Sequence, residues 1–261
     1  MATYSRFGGG GGGFGRSTMH FGGMVPPMIK RLLIINVALF LVYFFATRFQ
    51  MDALLALFRA ASLIPSWVFK GAVWQPFTYL FLHSPYGFGH ILFNMLMLWM
   101  FGQDLERDWG SRRFLEFYFF CGVGAGMCDV VARLFFGGMD IPTIGNSGAV
   151  YGILLAFGLL YPDRTVLFAL IFPIPARVFV AILGGIQFLS TFGSNSDVSH
   201  VAHLGGMLFA WVYLRHRPAF LDIDWQASYR QWKLRRAQRK FQVYMKKRDK
   251  EDRGGPGGWV N

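Results

Sequence analysis

Four polar residues stand at the starts of three apolar runs, and their types are those of nucleophilic acyl transfer. Ser147 lies in "GNSGAVYG", His90 and Asn94 in "GHILFN", and His203 in "SHVAHLGG". A serine hydroxyl is a weak nucleophile near neutral pH unless a base takes its proton, and an imidazole of unperturbed pKa about 6.5 can do so. The tetrahedral intermediate then needs donors aimed at its oxygen. Ser147 is expected at a helix N-terminus, where backbone N–H groups are unpaired and the dipole favours negative charge. His90 and Asn94 are four apart, so they share a helix face and can add side-chain donors. Gly145 and Gly148 let a substrate backbone come close. Taken singly these residues are ordinary: a helix cap, an interfacial histidine, an asparagine bonding between helices. Only a shared depth makes them a site, one that calls for no metal ion and no cofactor.

Apolar helices must supply that depth. Of 261 residues, 54% are hydrophobic, 18% aromatic and 15% charged, and the mean hydropathy is +0.36. Repeated apolar runs of about 15 to 20 residues broken by short polar loops exclude an ordinary soluble core. Six runs qualify as spans: 28 to 47, 89 to 104, 114 to 136, 147 to 161, 176 to 191 and 200 to 215. The fourth and sixth fall short of the ~20 residues of an isolated span, so they are expected to begin below the surface behind sheltered loop. Residues 49 to 88 carry apolar residues at helical spacing, but Asp52, Arg59, Pro65 and Lys70 interrupt them, and Trp67 and Trp74 suit an interfacial belt. This piece is read as lying in the interface.

Charge sets the orientation. The formal net charge is +12; Arg6 and Arg16 precede the first run and Lys30 and Arg31 stand at its start, and from Arg215 onward 13 Lys/Arg face 5 Asp/Glu. Two basic ends on a neutral apolar body place both termini in the cytoplasm, which agrees with an even number of spans. Juxtamembrane Lys/Arg read as topology and anionic-lipid anchors, and nucleic-acid binding is set aside. The second, fourth and sixth helices then run inward, and their N-terminal ends share the outer side. Small residues repeat every four positions at Gly148, Gly152 and Ala156 and at Gly206 and Ala210, which lets two helices approach closely. His203 precedes Gly206 by three, so packing through Gly206 turns the imidazole toward the same neighbour.

The pieces "HILFN", "GNSGAVYG" and "AHLGG", in that order on alternate helices, resemble a rhomboid intramembrane serine protease of the six-span bacterial type over about residues 28 to 216. The resemblance implies an all-α integral membrane protein, a six-transmembrane-helix bundle with a half-submerged first loop. It implies Ser147 as nucleophile and His203 as base, an oxyanion hole of His90, Asn94 and the Ser147 backbone N–H, and Tyr151 stacked on the catalytic imidazole. Where many rhomboids have Trp-Arg in the first loop, this chain has Trp74-Gln75. The expected activity is cleavage in or near transmembrane segments of membrane-protein substrates, in a bacterial inner membrane with lipid as the surrounding partner. A rhomboid-like chaperone that binds client helices without cutting is the alternative; such relatives usually lose the serine or histidine. A transporter would need inverted repeats, and no convincing repeat is present.

The expected domains are a flexible Gly-rich N-terminus (1–27), the six-span unit (28–216) and a basic, partly helical tail (217–261). The stretch Gly8 to Gly15 reads as low-complexity chain, not a cleavable signal. Asp129 is expected to pair with Arg133, cap, or face cavity water, not to complete a triad. "ERDWGSRRF" (106 to 114) is expected to form a structural salt bridge and turn on the inner side, and Ser194 to Asp197 a loop or lid above the site. His20, His83 and His200 are read as loop residues, and His216 as part of the basic anchor. Cys121 and Cys128, about 10 Å apart along one helix, are read as free, buried thiols.

Overall fold

The computed structural model describes residues 24–168, 171–192 and 200–216. The glycine tract, His20, the Ser194 to Asp197 loop and the tail beyond His216 lie outside the described residues. In chain order the elements are α1 (Pro27–Arg48), α2 (Asp52–Ala61), α3 (Pro65–Phe69), α4 (Gln75–Thr78) with a 3-10 turn (Tyr79–Phe81), α5 (Phe88–Trp109), α6 (Ser111–Phe136) and α7 (Ser147–Leu160). A hairpin, β1 (Thr165–Phe168) and β2 (Phe172–Pro175), follows, then α8 (Ala176–Ser190) and α9 (His200–Arg215). All six runs expected to be helical are helices. Among the described residues, α1 and α6 are the two long and apolar enough to cross a membrane unaided, while α7 and α8 are shorter apolar helices.

α7 lies at the centre, packed by α5, α6, α8 and α9. Nearly every residue from Gly148 to Gly158 is buried, including Tyr151, Ile153, Leu154 and Phe157. Its 14 residues rise only ~21 Å, which suffices because neighbouring helices and not lipid surround it. The outer helices carry the exposed apolar side chains instead: Ile34, Leu41 and Phe45 on α1, Leu134 and Phe135 on α6, Ile186 and Leu189 on α8.

The all-α expectation fails at the hairpin. Thr165 pairs with Pro175 and Phe168 with Phe172 in an antiparallel register. Pro173 and Pro175 cannot continue a helix, and Thr165, Val166 and Phe168 favour extended backbone. The second expected span also ends early: α5 continues past residue 104 to Trp109, because charged residues end the hydropathy signal without ending the helix.

The first loop folds as short helical pieces, the longest ten residues. Gln75, where an arginine is common, is fully buried. Its Oε1 accepts from the Ile64 N–H at 3.0 Å and its Nε2 donates to the Ala60 carbonyl at 3.1 Å, so the amide joins α2, α3 and α4. Of the two thiols, Cys121 is buried but Cys128 is only half-buried, and both are free.

Gly110, at φ +77°, makes the one-residue corner between α5 and α6 that the "ERDWGSRRF" segment was expected to hold. Arg112 pairs with Glu116 at 3.0 Å. Arg107 pairs with Asp104 at 3.5 Å, so the segment holds the salt bridges expected of it, while Glu106 has another part. Its carboxylate accepts from the Met28 and Ile29 N–H groups at 2.9 and 2.8 Å and from Ser111 Oγ at 2.5 Å. It thus caps the N-terminus of α1, whose own cap position is Pro26 with no side chain to do so. Replacing Glu106 by Ala leaves these donors unpaired and is expected to cost about 3 kcal/mol. Glu106→Gln keeps an acceptor and is expected to cost about half that, measured by thermal or SDS-induced unfolding in detergent.

Candidate active site

Ser147 is the first helical residue of α7, with Asn146 in the cap position. The chain reaches it through Gly145, whose φ of +117° excludes most side chains; a Cβ there would sit 3.0 Å from the His90 ring and 3.9 Å from Ser147 Oγ. Two sets of bonds hold this approach. Leu63 and Thr143 exchange backbone hydrogen bonds of 3.0 and 2.8 Å, and the Gly145 N–H donates to the Tyr79 carbonyl at 3.0 Å, so the first loop fixes the segment before the serine. From α6, Asp129 Oδ2 accepts from Arg133 Nε at 3.0 Å and from Thr143 Oγ1 at 2.7 Å. Arg133 also donates to the Gly138 carbonyl and to Thr143 Oγ1, each at 3.1 Å. Asp129 therefore forms the expected pair with Arg133 and anchors the loop.

His203 comes from α9, and glycine contacts bring it to α7. A Cβ on Gly206 would lie 1.9 Å from the Gly148 carbonyl oxygen, and one on Gly148 would lie 2.3 Å from Ala125 Cβ. The two backbones touch, as small residues at this spacing permit. His203 Nε2 consequently stands 2.8 Å from Ser147 Oγ. Tyr151, one turn below the serine, stacks on the imidazole with ring centroids 4.4 Å apart and planes 17° from parallel.

The other ring nitrogen meets α8. His203 Nδ1 lies 2.7 Å from Gln187 Oε1, His200 Nδ1 lies 2.7 Å from the same oxygen, and Gln187 Nε2 donates to Tyr151 Oη at 2.7 Å. An amide oxygen only accepts, so His203 carries its proton on Nδ1 and leaves the Nε2 lone pair to accept from the serine hydroxyl. This tautomer suits a base.

His90 flanks Gly145 close to the serine. Asn94 is buried and donates from Nδ2 to the His90 carbonyl at 2.9 Å, one of its two amide hydrogens. His83 is no loop bystander: it is fully buried, its Nε2 donates to Asn146 Oδ1 at 3.2 Å, and its ring centroid lies 5.3 Å from that of His90. Burial, with His90 beside it, pushes the His83 imidazole down to about 4, so it is neutral at pH 7. His200, likewise read as a loop residue, opens α9 and bonds Gln187. Gln187 itself escaped the sequence reading. The one available signal was an amide in an otherwise apolar run.

The family model of the rhomboid domain matches residues 70–217. The chain belongs to the rhomboid family. As a member of that family it is a membrane protein, built of helices over most of its described length. The match begins within the first loop, later than the residue 28 from which the motifs alone suggest likeness. Rhomboid protein 1, mitochondrial, of Saccharomyces cerevisiae is 31% identical over 135 residues, 48% of this chain and 37% of that protein. RHOMBOID-like protein 12, mitochondrial, of Arabidopsis thaliana is 29% identical over 143 residues, 49% of this chain and 43% of that protein. Rhomboid protease GluP of Bacillus subtilis is 31% identical over 140 residues, 54% of this chain and 22% of that protein. The chain thus spans less than half the length of each of these rhomboid relatives.

The Gly206 contact makes the arrangement testable. Gly206→Val must push α9 off α7, and it is expected to lose at least ~3 kcal/mol of stability through overpacking. A cysteine pair placed at the lipid-facing ends of the two helices should show their separation by spin-label distance measurement.

Proposed function

We propose that this rhomboid-family chain is a six-span intramembrane serine endopeptidase, with α1, α5, α6, α7, α8 and α9 as its spans and residues 28–216 as the protease domain. The observation that carries the reading is the 2.8 Å approach of Ser147 Oγ to the unprotonated nitrogen of His203. Support also comes from the position of the serine at the N-terminus of a buried helix, where unpaired N–H groups favour an anionic oxygen.

In this mechanism Ser147 Oγ attacks the scissile carbonyl while its proton passes to His203 Nε2. The Ser147 backbone N–H, Asn94 and His90 receive the developing oxyanion. The Nε2 proton then goes to the departing amine, and water, deprotonated by the same nitrogen, releases the acyl-enzyme. Gly145 and Gly148 leave little room beside the serine, so a small side chain is expected just before the cut. The substrate helix must unwind locally, because a regular helix hides its carbonyls in hydrogen bonds. The substrates are transmembrane segments of other membrane proteins. Both basic termini lie on the cytoplasmic side of a bacterial inner membrane, since flanking Lys/Arg favour that side.

The test is cleavage of a single-span reporter by the purified protein in lipid. Ser147→Ala and His203→Ala are each expected to lower the rate by about 10³-fold or more. Wild-type protein that binds the reporter without cutting it would favour the client-binding reading instead. Cleavage undiminished in either variant would overturn the dyad.

A further inference from the structure

α8 is an unlikely place for a buried amide. Its Ile182, Ile186, Phe188 and Leu189 are exposed, as suits a helix facing hydrocarbon, whereas Gln187 is 9% exposed and points inward. A polar side chain buried on such a helix is retained against an insertion cost, so its bonds identify its use. Each of those bonds ends on a residue of the dyad or a group touching it. Oε1 takes one donor on each lone pair, His203 Nδ1 and His200 Nδ1, and Nε2 anchors on Tyr151 Oη, whose ring covers the imidazole.

We propose that Gln187 is the third, positioning member of a Ser147–His203–Gln187 relay, supplied by α8 and holding His203 in the Nδ1-protonated tautomer. The inference rests on the dyad reading and deepens it. An acceptor on Nδ1 does more than orient the ring. When Nε2 takes the serine proton, His203 becomes an imidazolium, and the Nδ1–H bond to Oε1 becomes charge-assisted and roughly twice as strong. The interaction therefore strengthens on the way to the transition state, and its loss falls on kcat. A neutral amide serves this purpose in other nucleophile–histidine pairs, where asparagine stands in place of aspartate. Asp129, the acid nearest in sequence pattern to that role, already holds Arg133 and Thr143. With its oxygen toward His203, the amide accepts from His200 Nδ1 as well.

The experiment compares full-length Gln187→Leu, Gln187→Glu and wild-type protein in lipid on a single-span reporter, with folding followed by thermal unfolding. Gln187→Leu keeps bulk but removes the acceptor, and kcat is expected to fall about tenfold or more with KM within about twofold. Gln187→Glu restores the acceptor and places a carboxylate against the imidazolium. It should recover most of kcat and move the acidic limb of the kcat/KM profile to higher pH, since a nearby anion favours charged His203. The titratable groups around His203 besides that residue are Tyr151, His200 and His90; all three are common to every variant. A side chain that does not face His203 Nδ1 in the working enzyme gives a different result: Gln187→Glu would leave the acidic limb where wild type has it, and that outcome overturns the proposal, as does a Gln187→Leu kcat within twofold of wild type. If Gln187→Leu does not fold, the pH limb of Gln187→Glu decides alone. Ser147→Ala run in parallel separates the two levels: background cleavage there keeps the dyad even if Gln187 fails, and wild-type cleavage there removes the dyad itself.

Discussion

Contact between the backbones of α7 and α9 is the constraint on which the site depends. Gly206 sits so close to the Gly148 carbonyl that no side chain fits between them, and Gly152 continues the seam, where a Cβ would meet the Gly206 carbonyl at 3.1 Å. In lipid there is little hydrophobic drive between apolar helices, so close packing of small residues and the hydrogen bonds it permits must hold the pair. A hydroxyl and an imidazole on separate helices come within 2.8 Å because the glycines remove the atoms that would otherwise keep the axes apart.

The second constraint is the approach to the serine. Lipid-facing irregular backbone is not tolerated at membrane depth, but irregular backbone sheltered by protein is. Residues 143–146, the part next to Ser147, are sheltered in this way. Thr143 pairs with Leu63 in the first loop, Gly145 bonds Tyr79, and Asp129 with Arg133 ties the same stretch to α6. The first loop, itself joined through buried Gln75, is thus part of the frame that sets where α7 begins. His83 extends that frame from the first loop to Asn146, immediately before Ser147.

Glu106 shows the same logic at the opposite end of α5. A carboxylate buried to 3% exposure would be costly alone, yet here it meets the unpaired N–H groups of α1 and a serine hydroxyl. The helix end and the anion satisfy each other, and α1, which lies outside the segment matched by the family model, is fastened to the bundle by polar bonds as well as by apolar contact.

Much of this was legible from residues alone. Hydropathy located α1, α5, α6, α7, α8 and α9, since an apolar run has few other ways to satisfy its backbone. Spacing placed Ser147, His203, His90 and Asn94 at helix starts, and the four-residue glycine repeats marked α7 and α9 as able to touch. Periodicity reports the depth and face of a side chain, but not which neighbouring helix that face will meet. Gln187, 16 residues before His203 and on another helix, could be matched to His203 Nδ1 only by packing. His83, in a loop as expected, and His200, which opens α9 instead, offered no partner to a sequence reading because Asn146 and Gln187 lie 63 and 13 positions away. Glu106 likewise pairs with backbone 77 and 78 residues distant. Sequence alone determined which polar groups each helix carries and at what height. Tertiary structure decided their partners, because a hydrogen bond depends on the rotation and separation of helices that local spacing does not encode.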